Sequence, residues 1–175
     1  CPSRGLGDVY KRQLLNNKKV TTSKLIKEFP CTPIHNNTFS FADASPDFRR
    51  KLLDRSIFIS EKSFSECWFS YYRSLKQRNS LLKNNRISDI YIWNTKLSDE
   101  GTKLNNMRKN FFTKTKNEFH YLIDLIQPSS VFEFFNLIEI DFFRGWDDNK
   151  NLNDLLQENQ ELDLKRKSTT QGPHK

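Results

Sequence analysis

At 175 residues the chain is the size of one domain or part of a larger one, and 35% hydrophobic against 29% charged residues leaves little apolar material for a wide core. A net charge of +8 and a pI near 9.4 favour phosphate-rich partners, nucleic acid first. No apolar run reaches the ~18 residues of a membrane span, and the three cysteines, with no CxxC spacing and no Cys/His cluster, give no zinc pattern and fit reduced thiols in a cytosolic setting.

In chain order, residues 1–13, CPSRGLGDVYKRQ, look like translated adapter sequence and are set aside; they carry a net +2, which leaves +6 on the rest. Residues 14–44 are expected to be a mixed piece. LLNNKKV predicts a small hairpin around an Asn turn. Thr21 or Thr22 caps a short helix that Pro30 stops after Phe29, and CTPIH at 31–35 reads as a short edge strand.

Residues 45–127 are expected to form a helical arm. Ser45-Pro46 starts a helix to about Ile59, with Asp47 in its first turn and Phe48, Leu52 and Leu53 as its buried face. Arg49, Arg50 and Lys51 make a basic run beside it. Ser60 is expected to open a second helix with the apolar stripe Phe64, Cys67, Trp68, Tyr71, Leu75 and Leu82. An Asn-rich break at 84–89 leads to a third helix from about Tyr91 to Ile126. Its seam is Leu97, Leu104 and Phe111, with Trp93, Met107, Leu122 and Ile126 near the same stripe and Gly101 as a weak point. Two long helices joined by a short polar link form an antiparallel hairpin.

Residues 128–175 are expected to supply a strand, a helix and a return to the first piece. Residues 131–143, VFEFFNLIEIDFF, alternate as a strand, with Phe132, Phe134, Ile138, Ile140 and Phe142 on one side. Arg144-Gly145-Trp146 is the exit turn. Leu152, Leu155, Leu156, Asn159 and Leu162 outline one helix ending in Lys165-Arg166-Lys167, where cations complement the helix dipole. STTQGPHK reads as a strand start and a Gly-Pro turn.

Self-contained chemistry is absent from the pattern. There is no GxxxxGK[ST] phosphate loop, no GxGxxG and no GxSxG. His35, His120 and His174 are far apart and lack metal-ligand spacing, and Asp147-Asp148 suits a turn or a cap better than a metal. No catalytic and no metal-binding residue is assigned. The basic faces remain. Arg49, Arg50, Lys51, Arg73, Lys76, Arg78 and Lys83 could neutralise backbone phosphates without reading sequence. The competing reading is a solvated surface whose long stems cover the apolar stripe. A non-enzymatic basic helical module for nucleic acid or protein is the alternative function.

Five stretches then fit together in order: SPDFRRKLLDRSIF, YRSLKQRNSLLK, IWNTKL, FFRGWDD and LLQENQELDLKRKSTTQGPHK. They resemble the RecF family of DNA replication and repair proteins over roughly residues 14–175. LKQRN at 75–79, RGW at 144–146 and the T-x-x-GPHK run are the most specific. The resemblance implies an α+β, mostly helical fragment: a helical-hairpin arm inserted into an ABC/SMC-like α/β ATPase head that is incomplete here. It implies a cytoplasmic parent that binds ATP, Mg and DNA, forms an ATP-dependent homodimer, and works with recombination-mediator partner proteins to load recombinase at gaps in repair and the SOS response, with no role for a membrane.

The family's phosphate loop would precede this stretch and its signature would follow GPHK, so this piece is not expected to hydrolyse ATP alone. The family's nucleotide-sensing Gln aligns by position with Thr32, whose hydroxyl side chain is shorter but can still donate and accept a hydrogen bond. Arg49, Arg50, Lys51, Arg73, Lys76 and Lys83 are the candidates for DNA contact. Arg78, Asn79, Trp93 and Trp146 are the candidates for anchoring arm to head.

Overall fold

A computed structural model describes residues 13–31, 44–126 and 139–175. They fall into two compact units, one within residues 1–40 and one within 41–175, each taken by itself below.

The first unit is a hairpin and a helix. β1 (Leu14–Leu15) pairs antiparallel with β2 (Lys18–Lys19), Leu14 opposite Lys19. Asn16 and Asn17 have φ of 50° and 60°, the left-handed pair that a two-residue turn needs and that asparagine tolerates. α1 (Thr22–Glu28) is capped by Thr21, whose hydroxyl accepts from the Lys24 N–H, and Pro30 follows its end. Cys31 is exposed. The strand expected over 31–35 falls outside the described residues from Thr32 onward, and so does Thr32.

The second unit is helical. α2 (Pro46–Ser60) starts as expected, with Ser45 Oγ accepting from the Phe48 N–H and Pro46 in the first turn. Its inner face differs from the expected one. Phe48 and Leu52 are exposed, and Leu53, Ile57 and Phe58 turn inward, with Ile57 wholly buried. The inward face thus lies about one turn later than periodicity from Phe48 suggests.

Ser60 belongs to the end of α2, its hydroxyl donating to the Ile57 carbonyl, and does not open the next helix. Glu61 is extended and breaks the helix, and α3 runs Phe64–Lys83. Asn85 at φ 53° turns the chain into α4 (Ile90–Ile126), which packs along α3. The α3 stripe is as expected: Phe64, Tyr71, Leu75 and Leu82 are buried and Cys67 and Trp68 partly so. On α4, Leu97 and Leu104 are fully buried and Phe111 and Met107 partly, while Leu122 is exposed. The seam ends about where α3 does, because α4 outruns its partner by seventeen residues.

Of the expected strand at 131–143, residues 131–138 lie outside the described part, and 139–143 form no ladder. Phe142 instead packs near Phe112 of α4, at 5.6 Å between ring centroids. The single helix expected after the turn is two helices, α5 (Leu152–Glu158) and α6 (Gln160–Arg166). Asn159 divides them. Its side-chain amide and its backbone N–H both donate to the Leu155 carbonyl. Leu152, Leu155 and Leu156 enter the core, and Leu162 beyond the break does not.

The tail after α6 is irregular and makes no strand start. It runs through the core, with Thr169, Gly172 and Pro173 buried. At Gly145 and Gly172 two segments cross backbone to backbone, the Gly172 N–H donating to the Gly145 carbonyl at 3.2 Å. Gly145 has φ of 92°, and a Cβ there would stand 2.3 Å from the Gly172 oxygen, so no side chain fits. Gly101 also has a packing reason: a Cβ would stand 2.9 Å from Leu152 Cδ2 and 3.2 Å from Tyr71 Cε2. The helix hairpin is thereby closed over by α5 and the tail, which supply core that two helices alone lack.

Candidate functional site

The chemistry of the second unit is concentrated in polar side chains buried beneath the tail. Arg78 occupies an inward position of α3 between Leu75 and Leu82 and is wholly buried. Its Nε donates to Asn94 Oδ1 (2.6 Å), Nη1 to Asp163 Oδ2 (2.7 Å) and Thr169 Oγ1 (2.8 Å), and Nη2 to the Leu156 carbonyl (3.1 Å). One guanidinium thus joins α3, α4, α5, α6 and the tail, which its planar fork of five donors allows and a lysine would not. Burial lowers the Arg78 pKa, against the raising effect of Asp163. Arginine starts so far above neutrality that it stays charged. Asp163 is satisfied on its other side, Oδ1 accepting from the Thr170 N–H and hydroxyl at 2.8 and 2.6 Å. Asn79 Oδ1 accepts from both the N–H and the hydroxyl of Thr169.

A second ion pair lies further along α4. Arg108 grips Asp54 of α2 in a fork, Nε to Oδ1 and Nη2 to Oδ2, both 2.7 Å, and its Nη1 donates to the Pro173 carbonyl. Trp68 Nε1 donates to the same carboxylate at 3.0 Å. Burial works against the Arg108 charge, but the bonds to Asp54 outweigh it and leave the pKa raised.

Between the two pairs, Tyr71 Oη meets His174 Nδ1 at 2.6 Å, and His174 Nε2 meets the Thr169 carbonyl at 3.1 Å. A carbonyl only accepts, so Nε2 is assigned the proton and Nδ1 accepts from the phenol. Burial favours this neutral ring and brings the His174 pKa down to about 4. Burial also raises that of Tyr71. On the opposite flank of α3, the hydroxyls of Ser70 and Ser74 donate to the two oxygens of Glu100.

Most of these donors and acceptors are matched to one another; the buried Asn94 Nδ2 has no partner among the described residues. Among the described residues no group of His, Cys, Asp or Glu could hold a metal ion. The arrangement fixes the tail and leaves interaction chemistry to the surface.

The residues expected to contact DNA divide into two groups. On α2, Arg49 is exposed, while Arg50 (3.7 Å) and Lys51 (2.7 Å) both pair with Asp47, whose pKa Lys51 holds below its usual value. On α3, Arg73, Lys76 and Lys83 are exposed and form no ion pair among the described residues. The four residues expected to anchor are dispersed. Arg78 and Asn79 tie α3 to α6 and the tail. Trp146 is buried, with the Arg144 guanidinium 4.6 Å from its ring centre. Trp93 is partly buried, with Lys96 Nζ 5.4 Å from its ring.

Sequence reasoning missed Asp54, Asn94, Arg108, Asp163, Thr169 and His174 as structural groups. A signal existed for two of them. Asn94 and Arg108 stand three residues before Leu97 and four after Leu104, on the apolar seam itself, where a polar side chain must find buried partners.

No family model matches the chain. Its curated relatives include the DNA replication and repair protein RecF of Francisella tularensis subsp. tularensis (strain WY96-3418), 31% identical over 154 residues, 87% of this chain and 42% of the relative. The RecF proteins of subsp. novicida (strain U112) and subsp. holarctica (strain LVS) match over the same shares at 31% and 30%. A solved structure of the recombination mediator protein RecF-ATP in the RecFOR pathway superposes with a TM-score of 0.74 at 24% identity, covering 91% of this chain and 45% of that one. A second, RecF-ATPrS, gives 0.68 at 25%. The chain thus spans a little under half the length of the proteins it matches. Over most of its own length, in sequence and in fold, the chain is thus similar to a part of the RecF proteins.

Proposed function

We propose that this chain is the helical part of a RecF-like recombination mediator, in which α3 and α4 form an arm inserted into an ATPase head. The whole protein binds ATP with Mg, dimerises upon it, binds DNA and acts with mediator partner proteins to load recombinase at gaps. The supporting observation is the T-x-x-GPHK tail. This run, one of the three most specific to the family, is held by Arg78, Asn79, Arg108 and Tyr71, four side chains of the helix hairpin. Such a linkage makes the hairpin and the segment leaving it one rigid piece. A polar network buys specificity of arrangement here more than stability, since a buried ion pair against an apolar substitute is near break-even.

The head's chemistry lies in segments expected on either side. Extending the reading frame tests the proposal: a phosphate loop upstream and an SRGQ-like signature downstream are expected, with ATP-dependent dimerisation of the complete protein. A complete protein with neither segment, which neither binds ATP nor dimerises with it, would overturn the reading in favour of a basic interaction module.

A further inference from the structure

The α3 cations are not equivalent once the tail is in place. At about 100° per residue, Lys83 and Lys76 lie roughly 40° and 60° around α3 from Asn79, whereas Arg73 lies about 120° away. Asn79 is where Thr169 docks, through two hydrogen bonds of 2.8 and 2.7 Å. Lys167 precedes Thr169 by two residues, so their Cα atoms are at most about 7.6 Å apart. Lys76 and Lys83, three and four residues from Asn79, have Cβ atoms about 5–6 Å from its own. The α6 terminus, with Lys165, Arg166 and Lys167 all exposed, is therefore brought beside Lys76 and Lys83, from which it is more than eighty residues distant in sequence.

Two features distinguish this patch from an ordinary solvated face. Asp163, the buried acid of α6, is already engaged by Arg78, and none of the five cations forms an ion pair among the described residues. Lys167 also takes the left-handed conformation at the end of α6, φ 53° and ψ 29°. Glycine or asparagine is favoured at such a position, and a lysine there runs against backbone preference.

We propose that Lys76, Lys83, Lys165, Arg166 and Lys167 form one phosphate-binding surface that tracks the backbone of DNA without reading its bases. Arg73 lies outside it. This surface rests on the reading of the chain as part of a DNA-binding RecF-like protein, and specifies where the helical part meets DNA. Positive groups from two elements, fixed to each other by the Asn79–Thr169 clasp, suit a continuous phosphate chain.

The test is the salt dependence of duplex binding by the full chain, followed by fluorescence anisotropy between about 50 and 200 mM salt. Lys76→Gln with Lys83→Gln, and separately Lys165→Gln with Lys167→Gln, should each reduce the slope of log K against log salt by about 2, at roughly 0.9 per phosphate lost. Lys109→Gln with Lys114→Gln removes the same charge from exposed α4 positions and should leave the slope unchanged, and Arg73→Gln should change it little. If the chain binds but the control pair lowers the slope as much as the test pairs, or neither test pair does, the surface is overturned and the family reading stands. If the unaltered chain shows no salt-dependent binding, the surface and the DNA-binding part of that reading fall together. The nucleotide part is judged separately by the reading frame.

Discussion

Replacing Arg78 by methionine removes four hydrogen bonds at once and leaves Asp163, wholly buried, without its cationic partner. Asp163 keeps the two bonds from Thr170, which softens the loss without neutralising the charge. Breaking one side of a buried ion pair costs about 3–5 kcal/mol, a large share of the roughly 5–15 kcal/mol that holds a domain folded. Asp163→Leu should cost a similar amount, because it strands the guanidinium.

The double variant removes both charges. It should cost about 2–3 kcal/mol less than the sum of the single changes, since neither charge is then left unpaired. Arg78→Lys tests geometry apart from charge. An ammonium offers three donors and no planar fork, so it should recover only part of the loss. Urea unfolding followed by tryptophan fluorescence reports these values, with Trp146 buried in the core as a probe. A methionine variant that loses less than about 1 kcal/mol, or single effects that add to within about 0.5 kcal/mol, would refute the view of Arg78 as the joint between helices and tail.

Three further outcomes are expected. The His174 pKa is about 4 in the fold against an ordinary value near 6.5, so the unfolded chain takes up the proton first as pH falls. That contribution is complete above about pH 6.5 and is lost towards pH 4, roughly 3 kcal/mol at most; the unfolding midpoint of His174→Gln should decline less over this window than that of the unaltered chain. Gly145→Ala should cost about 2–4 kcal/mol, through the left-handed backbone and the clash with Gly172, as read from urea midpoints; a loss under about 0.5 kcal/mol would contradict the crossing. Cys67 is partly buried, and burial raises its thiol pKa, so iodoacetamide should label exposed Cys31 first by peptide mass analysis. Equal labelling rates in the folded chain would contradict the placement of Cys67 against the core.

Much of the helical layout was legible because its signals are local. Asn16-Asn17 determine a turn, Thr21 and Ser45 cap helices, and the stripe from Phe64 to Leu82 repeats over five turns. Reasoning failed where the outcome depends on what a segment meets. Phe48 and Leu52 have the right spacing to be buried, yet both remain exposed. The division at Asn159 interrupts an otherwise periodic leucine pattern where the Arg78 guanidinium of α3 takes the Leu156 carbonyl. The tail resembles a strand in composition, yet its N–H groups are taken by Asn79 and Asp163, leaving no ladder to join. Arg78 and Asn79 stood out from their place beside the apolar stripe. Their partners Asp163 and Thr169 lie 85 and 90 residues away and carry no periodic signal of their own.

The claim on which the account rests is that the T-x-x-GPHK tail is locked into the helix hairpin. Amide hydrogen exchange at Thr169 and Thr170 measures this most directly. Their N–H groups donate to Asn79 Oδ1 and Asp163 Oδ1, both at 2.8 Å, although neither lies in a helix or strand. The account predicts that both exchange as slowly as the core amides around Leu75 and Leu104, and that Asn79→Ala releases Thr169 by an order of magnitude or more. Exchange of both amides at the rate of an exposed loop in the unaltered chain would contradict it.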